Sequence, residues 1–337
     1  MGAWAVRRAA VNSQAGCAVK RIVFLVPQGV NLAGLEQARL GLAEACRYRQ
    51  QHNLPMPFEV SLAGAHTDIR AGNGHYTIHP DHLLSAVPQA DLYIVPPTEP
   101  SPAALQDNAP LIGWLGSQYA QGAPMASLCM GSALLAAAGI LDGLRAVTHW
   151  QALEPMQQAF PKVRWNAEKT MDFDGGVFTS GGAVSASRLI LHLIEMHSDR
   201  PTAIYCAKVF QLDYERHSQL PFSIFNGWKA HGDSSIMPVQ SFLERHYSEK
   251  ITVEQLCDSF AMGRRTLERR FRKATGQSVL EYQQRVRVEA AKRQLEMTSS
   301  TISDVMYGVG YNDAKAFRDT FRKYSGLSPL AYRERYQ

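Results

Sequence analysis

The sequence predicts an α/β unit followed by an all-α unit, and three observations carry that division. Short apolar runs alternate with helical stretches over the first two hundred residues, the pattern of a doubly wound parallel sheet. A segment of twenty-one residues near the end recurs at an offset of fifty. The basic excess sits wholly in the last hundred residues: 238–337 hold 18 Lys and Arg against 12 Asp and Glu, a net of +6, which leaves 17 against 18, a net of −1, for the rest.

The elements follow in order. Residues 1–20 mix small residues with Arg7, Arg8 and Lys20 and lack a sustained apolar stretch ending in a cleavage site, so they are expected to be a disordered lead, or to follow from an early start codon, rather than a signal peptide. Strands are expected at RIVFLVP from 21, FEVSLAG from 58, ADLYIVPP from 90, PMASLCM from 124 and GVFTSGG from 176, short and apolar as buried parallel strands are. Helices are expected over Ala33 to Tyr48, Leu111 to Tyr119, Ser132 to Ala138 and Ala183 to His197. Amphipathic helices through HLIEMHSDR and IYCAKVFQLDYER close this domain, 21–220, either packed on the sheet or forming a dimer surface. Residues 221–235 (PFSIFNGWKAHGDSS) concentrate Gly, Ser, Asp and Asn with no apolar period and read as a linker, with Phe222, Phe225 and Trp228 docking it in part. The helical unit is 236–337.

Within that unit, residues 265–285 match 315–335 at eight of twenty-one positions, among them Phe271/Phe321, Arg272/Arg322, Gly276/Gly326 and Tyr282/Tyr332. Leu267 with Phe271, and Phe317 with Phe321, lie four apart and define a buried face, which turns the charges outward. Thr252/Gln255, Ser278/Glu281 and Thr301/Asp304 have the spacing of capping boxes. Each repeat is thus a short capped helix, a tight turn and a cationic helix, a helix-turn-helix, and the helix through RVRVEAAKRQLEM spaces the two. The outward residues Arg264, Arg265, Glu268, Arg269 and Arg272, and Lys315, Arg318, Asp319, Arg322 and Lys323, are expected to face double-stranded DNA.

No apolar run reaches membrane-spanning length, so no membrane partner is expected. Five cysteines, at 17, 46, 129, 206 and 257, form no metal-type pair and no disulfide framework; no metal or cofactor is expected, and a reducing cytoplasm suits them. Cys129 stands out. In ASLCMGSALLAAAG an apolar strand runs through it into a helix, the layout of a nucleophile elbow, and a nearby helix N-terminus would favour thiolate. The alternative is a small buried apolar residue.

Residues 236–337 resemble the DNA-binding domain of the AraC family of transcription regulators, most closely in GYNDAKAFRDTFRKYSGLSPLAYR; Gly263-Arg264 replaces the family's usual Ser-Pro and implies a looser first reading helix. Residues 21 to about 217 resemble the PfpI-like, class I glutamine-amidotransferase-like domain through LAGLEQA at 32, CMGSALLAAAGILDGLRAVTHW at 129 and FTSGG at 178. The combination is similar to the GlxA subfamily, and its sheet would be flavodoxin-like. The resemblance puts Cys129 in the elbow and His149 where the family's His falls.

Two departures argue against hydrolysis. Asn31 occupies the slot of the family's acid and cannot exchange a proton. Pro97-Thr98 replaces Gly-Gly, and Pro97 has no N–H for an oxyanion. The site is therefore expected to bind a small molecule without turning it over, lined by Asn31, Thr98, Glu99, Cys129, Met130, His149 and Trp150.

What the resemblance implies is a ligand-responsive regulator, an activator of a catabolic or transport operon that works as a homodimer with promoter DNA and RNA polymerase. Its effector would be an amino-acid or quaternary-amine metabolite, with Trp114 and Trp150 as an aromatic face. The alternatives are a cysteine amidase or peptidase with a DNA-binding tail, and a regulator switched by oxidation of Cys129.

Overall fold

The computed structural model describes residues 19–212 and 218–337. Most of the expected lead (1–18), Cys17 and the end of the stretch IYCAKVFQLDYER lie outside the described residues. The chain divides into two compact units: Met1–His149, Lys162–Arg164 and Met171–Arg216 form one, and Trp150–Pro161, Trp165–Thr170 and His217–Gln337 the other.

The first unit is built on a seven-stranded sheet. Its strands in chain order are β1 (Lys20–Leu25), β2 (Phe58–Gly64), the hairpin β3 (Ile69–Ala71) and β4 (Tyr76–Ile78), which stands apart from the sheet, then β5 (His82–Leu83), β6 (Leu92–Val95) and β7 (Met125–Ser127). A second two-stranded pair, β8 (Arg145–Ala146) and β9 (Arg164–Trp165), is followed by β10 (Met171–Asp174) and β11 (Val177–Ser180). The sheet order is β10-β11-β7-β6-β1-β2-β5, parallel throughout except that β10 runs antiparallel to β11. All five expected strands are present; the antiparallel edge and the hairpin, too short and polar to show a period, were not foreseen.

Strand alternation sorts the core. Ile22 and Phe24 of β1 join a cluster with Leu35 and Leu42 of α1 (Leu32–Gln51) and with Leu189, Ile190 and Ile194 of α6 (Ala183–His197). Val23 and Leu25, equally buried, belong by the two-residue period to the opposite face. Cys46 and Cys206 are core residues of the first cluster. The remaining helices of the chain up to there are α2 (Pro102–Asp107), α3 (Ala109–Ala120), α4 (Ser132–Ala137), α5 (Leu153–Ala159) and α7 (Arg200–Val209). Among the described residues no helix is long and apolar enough to cross a membrane.

The helical unit contains α8 (Ile236–Arg245), α9 (Val253–Ser259), α10 (Arg264–Thr275), α11 (Val279–Met297), α12 (Ile302–Gly308), α13 (Ala314–Ser325) and α14 (Pro329–Tyr336). The three capping boxes expected at Thr252, Ser278 and Thr301 are all formed, each closing two backbone donors that a helix start would leave open. Two apolar clusters lie side by side. One gathers Leu243, Leu256, Leu267, Phe271 and Tyr282; the other gathers Leu295, Val305, Val309, Phe317, Phe321 and Tyr332. The long α11 gives Val279 and Tyr282 to the first and Val288, Ala291 and Leu295 to the second, so it is the common beam of both helix-turn-helix units.

Residues 221–235 are held to this unit along their length. Ser223, Phe225, Trp228 and Asp233 all bond to its helices, and Gly227 lies so close to Tyr282 that any side chain there would strike the hydroxyl.

Candidate nucleic-acid interface and elbow site

The candidate interface is built by α10 and α13. Each is twelve residues long and ends at a glycine in the left-handed region, Gly276 or Gly326, both at φ 73°. Leu267 with Phe271, and Phe317 with Phe321, are buried. The ten residues expected to face DNA are all exposed on the two helices. Their electrostatics differ. Arg264 Nη1 lies 2.6 Å from Glu254 Oε1 and its Nε 3.1 Å from Glu268 Oε1, so two of the five residues expected on α10 hold each other and an acid on α9. On α13, Arg318 Nε donates to the Ala314 carbonyl at 3.1 Å, and Lys323 Nζ lies 4.9 Å from the centre of the Tyr324 ring.

Two residues of this interface escaped the sequence reading. Asp313 caps α13, its Oδ1 accepting the Ala316 N–H at 2.6 Å, and the signal for it was an Asp just ahead of an apolar-periodic run. Arg270 looks like one more charge of α10, yet Asp233 binds it through both carboxylate oxygens, at 3.0 and 2.5 Å. That bidentate grip holds the Asp233 carboxyl below the usual carboxylate range. A partner 37 residues away in sequence leaves no local trace.

The elbow lies at the carboxyl end of β7. After Ser127 a single 3-10 turn, Cys129–Gly131, leads into α4. Cys129 sits at φ 54°, the left-handed strain that an elbow imposes on its central residue. Gly131 makes the turn possible, because a Cβ there would collide with the Pro96 carbonyl oxygen. The loops after β1 and β6 are joined to each other: the Asn31 N–H donates to the Pro97 carbonyl at 2.8 Å, and Val30 bridges Thr98. Thr148 comes to the elbow from the other side, its Oγ1 3.4 Å from the Cys129 carbonyl and 3.0 Å from Ser132 Oγ. The neighbouring His149 lays its ring over Gly182, where a Cβ would stand 2.8 Å from Cδ2.

The structure thus gathers Asn31, Thr98, Cys129, Met130 and His149 at one end of the sheet, as strand order and the switch-point rule expect. Thr98 is buried and Glu99, next to it, is exposed. Asn31 has a structural task, since its Oδ1 caps α1 by accepting the Gly34 N–H at 2.9 Å. Trp150 falls in the second unit. Trp114 turns edge-on to Tyr93 with ring centroids 5.1 Å apart.

The expectation of a thiolate at Cys129 is corrected. The residue is 8% exposed, and burial pushes its thiol up to about 11, outweighing a hydrogen bond from the Met130 backbone. Only roughly one thiol in ten thousand is then ionised at pH 7. The helix it precedes has six residues, too short a dipole to offset the loss of water. Burial also lowers the pKa of His149, which keeps its imidazole neutral near pH 7. The premise of the oxidation switch, an accessible low-pKa thiol, is therefore missing.

Comparison with known proteins follows the same division. The model of the DJ-1/PfpI family matches residues 20–196, more than half the chain, and a helix-turn-helix domain model matches 256–335. The chain is 29% identical over 229 residues to the HTH-type transcriptional regulator GbdR of Pseudomonas aeruginosa, covering 66% of this chain and 61% of that protein. It is 27% identical over 266 residues to the HTH-type transcriptional regulator CdhR of the same species, covering 77% of each. The match to GbdR thus spans less than two thirds of that relative's length. Among solved structures, a candidate transcriptional regulator protein from Vibrio parahaemolyticus has a similar fold, with a TM-score of 0.50 at 19% identity over 57% of this chain and 98% of that one. The chain belongs to the DJ-1/PfpI family and joins to that domain a helix-turn-helix domain of the AraC type.

Proposed function

We propose that this protein is a transcription regulator that binds double-stranded promoter DNA through α10 and α13 and responds to a small molecule at the elbow site without hydrolysing it. One observation carries the reading: two cationic helices of equal length, each ended by a left-handed glycine, expose their basic residues from opposite ends of one beam, α11. Such a pair can enter two successive segments of major groove, with arginines pairing to guanine edges and lysines to phosphates. The N-terminal domain supports the sensing half. It keeps the elbow and its converging loops, but its thiol is protonated, its acid slot holds the helix-capping Asn31, and Pro97 offers no N–H. Activation with RNA polymerase, a homodimer and a cytoplasmic setting belong to the same reading.

The test uses a duplex selected from a randomised pool by the full chain. Arg265→Ala and Arg318→Ala should each weaken binding by about 1 to 3 kcal/mol and relax base choice at different positions. Two variants that bind like the parent would overturn the interface. Steady-state turnover of amide, ester or peptide substrates that vanishes in Cys129→Ser would overturn the non-hydrolytic sensor.

A further inference from the structure

Residues 220–233 lie along α11 in the opposite direction to it and touch both reading heads. At one end, Leu220 and Pro221 pack where α13 stops: a Cβ on Gly326 would meet Leu220 Cβ at 3.2 Å and Pro221 Cδ at 3.3 Å. The Pro221 carbonyl accepts from the Tyr336 hydroxyl at 2.8 Å. The segment then steps along the beam. Lys292 Nζ donates to the Ser223 carbonyl at 2.6 Å, and the Phe225 N–H donates to Glu289 Oε2 at 3.2 Å. The Phe225 ring receives the Arg285 guanidinium at 4.4 Å on its face and Tyr282 edge-on at 5.1 Å. Gly227 passes the Tyr282 hydroxyl, and the Trp228 carbonyl accepts from Gln240 of α8 at 3.0 Å. At the far end Asp233 grips Arg270 of α10.

The α11 partners, 292, 289, 285 and 282, are spaced three, four and three apart, which is one stripe of a helix. Tyr282 on that stripe also belongs to the apolar core of the first helix-turn-helix, so the segment is tied directly to the packing beneath α10. Lys292 and Glu289, an ion pair buried at 3% and 7% exposure, anchor it where water cannot compete. Without the segment, α10 would be joined to the beam by the turn at Gly276 and by its own apolar face; Asp233 adds a hold on its flank.

We infer that residues 220–233 are a splint that fixes the separation and phase of α10 and α13, making Asp233 and Phe225 positioning residues for the spacing of the two DNA segments the protein accepts. The inference rests on the DNA-binding reading above. One added base pair moves a half-site by about 3.4 Å and turns it by about 35°, a displacement that a splinted pair of heads resists and an unsplinted pair follows.

The experiment takes the full chain and the selected duplex, with the two contacted segments assigned by the base positions that Arg265→Ala and Arg318→Ala relax. The duplex is remade with one base pair inserted or removed between them. The parent chain should lose roughly tenfold or more in affinity on each altered duplex, the range of a mismatched site. Asp233→Ala and Phe225→Ala should cut that loss to roughly threefold or less, and Asp233→Glu should restore it. Asp233 is half-buried and also accepts the Ser235 and Ile236 N–H groups at the start of α8, so a circular dichroism melt accompanies each variant and Asp233→Glu keeps the test open where an alanine variant melts. Variants that keep the parent's discrimination, or that weaken at all spacings alike, would overturn the splint. A parent chain that selects no duplex would sink the DNA-binding reading, and the splint with it, before any variant is made.

Discussion

The two candidate reading helices share a plan and differ in what secures them. At α13 the hold is local: Asp313 caps it from the adjoining residue. At α10, Gly263 occupies the cap without a side-chain bond, as the missing Ser-Pro implied, and the hold comes from elsewhere. Arg264 reaches Glu254 on α9, and Asp233 reaches Arg270 from 37 residues away. A cap is encoded in three residues; an ion pair between distant residues contributes little where it is exposed and depends on the rest of the fold. One helix is therefore held by its own sequence, and the other by its surroundings.

The widest effect expected bears on whether the heads are separate at all. Phe321→Ala should cost about 3 to 5 kcal/mol, and Phe271→Ala a similar amount, because both are fully buried. Since α11 feeds both cores, urea unfolding followed by fluorescence should show one transition of the helical unit for each variant. Two resolved transitions would break the picture of a shared beam.

A second comparison concerns binding. Arg318→Ala should lose about 1 to 3 kcal/mol in a gel-shift titration. Arg264→Ala should lose far less, since Arg264 must leave Glu254 and Glu268 before it can meet DNA. Equal losses would show that those ion pairs do not compete with the duplex.

Smaller still is the cap itself. Asp313→Ala should lower stability by about 1 kcal/mol, whereas Gly263→Ser, at φ −64° and ψ 142° where any residue fits, should raise it by a few tenths. Both are read from urea midpoints at constant slope.

The last prediction sets the elbow against the reader. Iodoacetamide at pH 7 should label half-exposed Cys257 of α9 well before buried Cys129, and Cys129 should gain reactivity as pH rises toward about 11. The sign follows from its raised pKa. Between the ordinary value near 9.0 and about 11 the unfolded thiol ionises first, so this group's contribution to stability is whole below 9.0 and is lost as pH climbs to 11. Rapid labelling of Cys129 at neutral pH would reopen the oxidation switch.

Local chemistry was legible wherever partners are near in the chain. The five strands announced themselves as apolar runs, the three boxes by a hydroxyl and an acceptor three residues on, and the reading faces by aromatics four apart, because each depends on strand or helix period alone. Even the elbow was readable, since its turn needs only a strand, a strained residue and Gly131.

Tertiary structure decided what those residues experience. Burial turned Cys129 from a candidate thiolate into a protonated thiol. Gly-, Ser- and Asn-rich residues that read as a linker became a splint through Lys292, Glu289 and Arg270, partners 69, 64 and 37 residues away. Periodicity reports which face of an element is apolar; desolvation and distant pairing depend on which faces meet, and that is settled only when the chain has closed on itself.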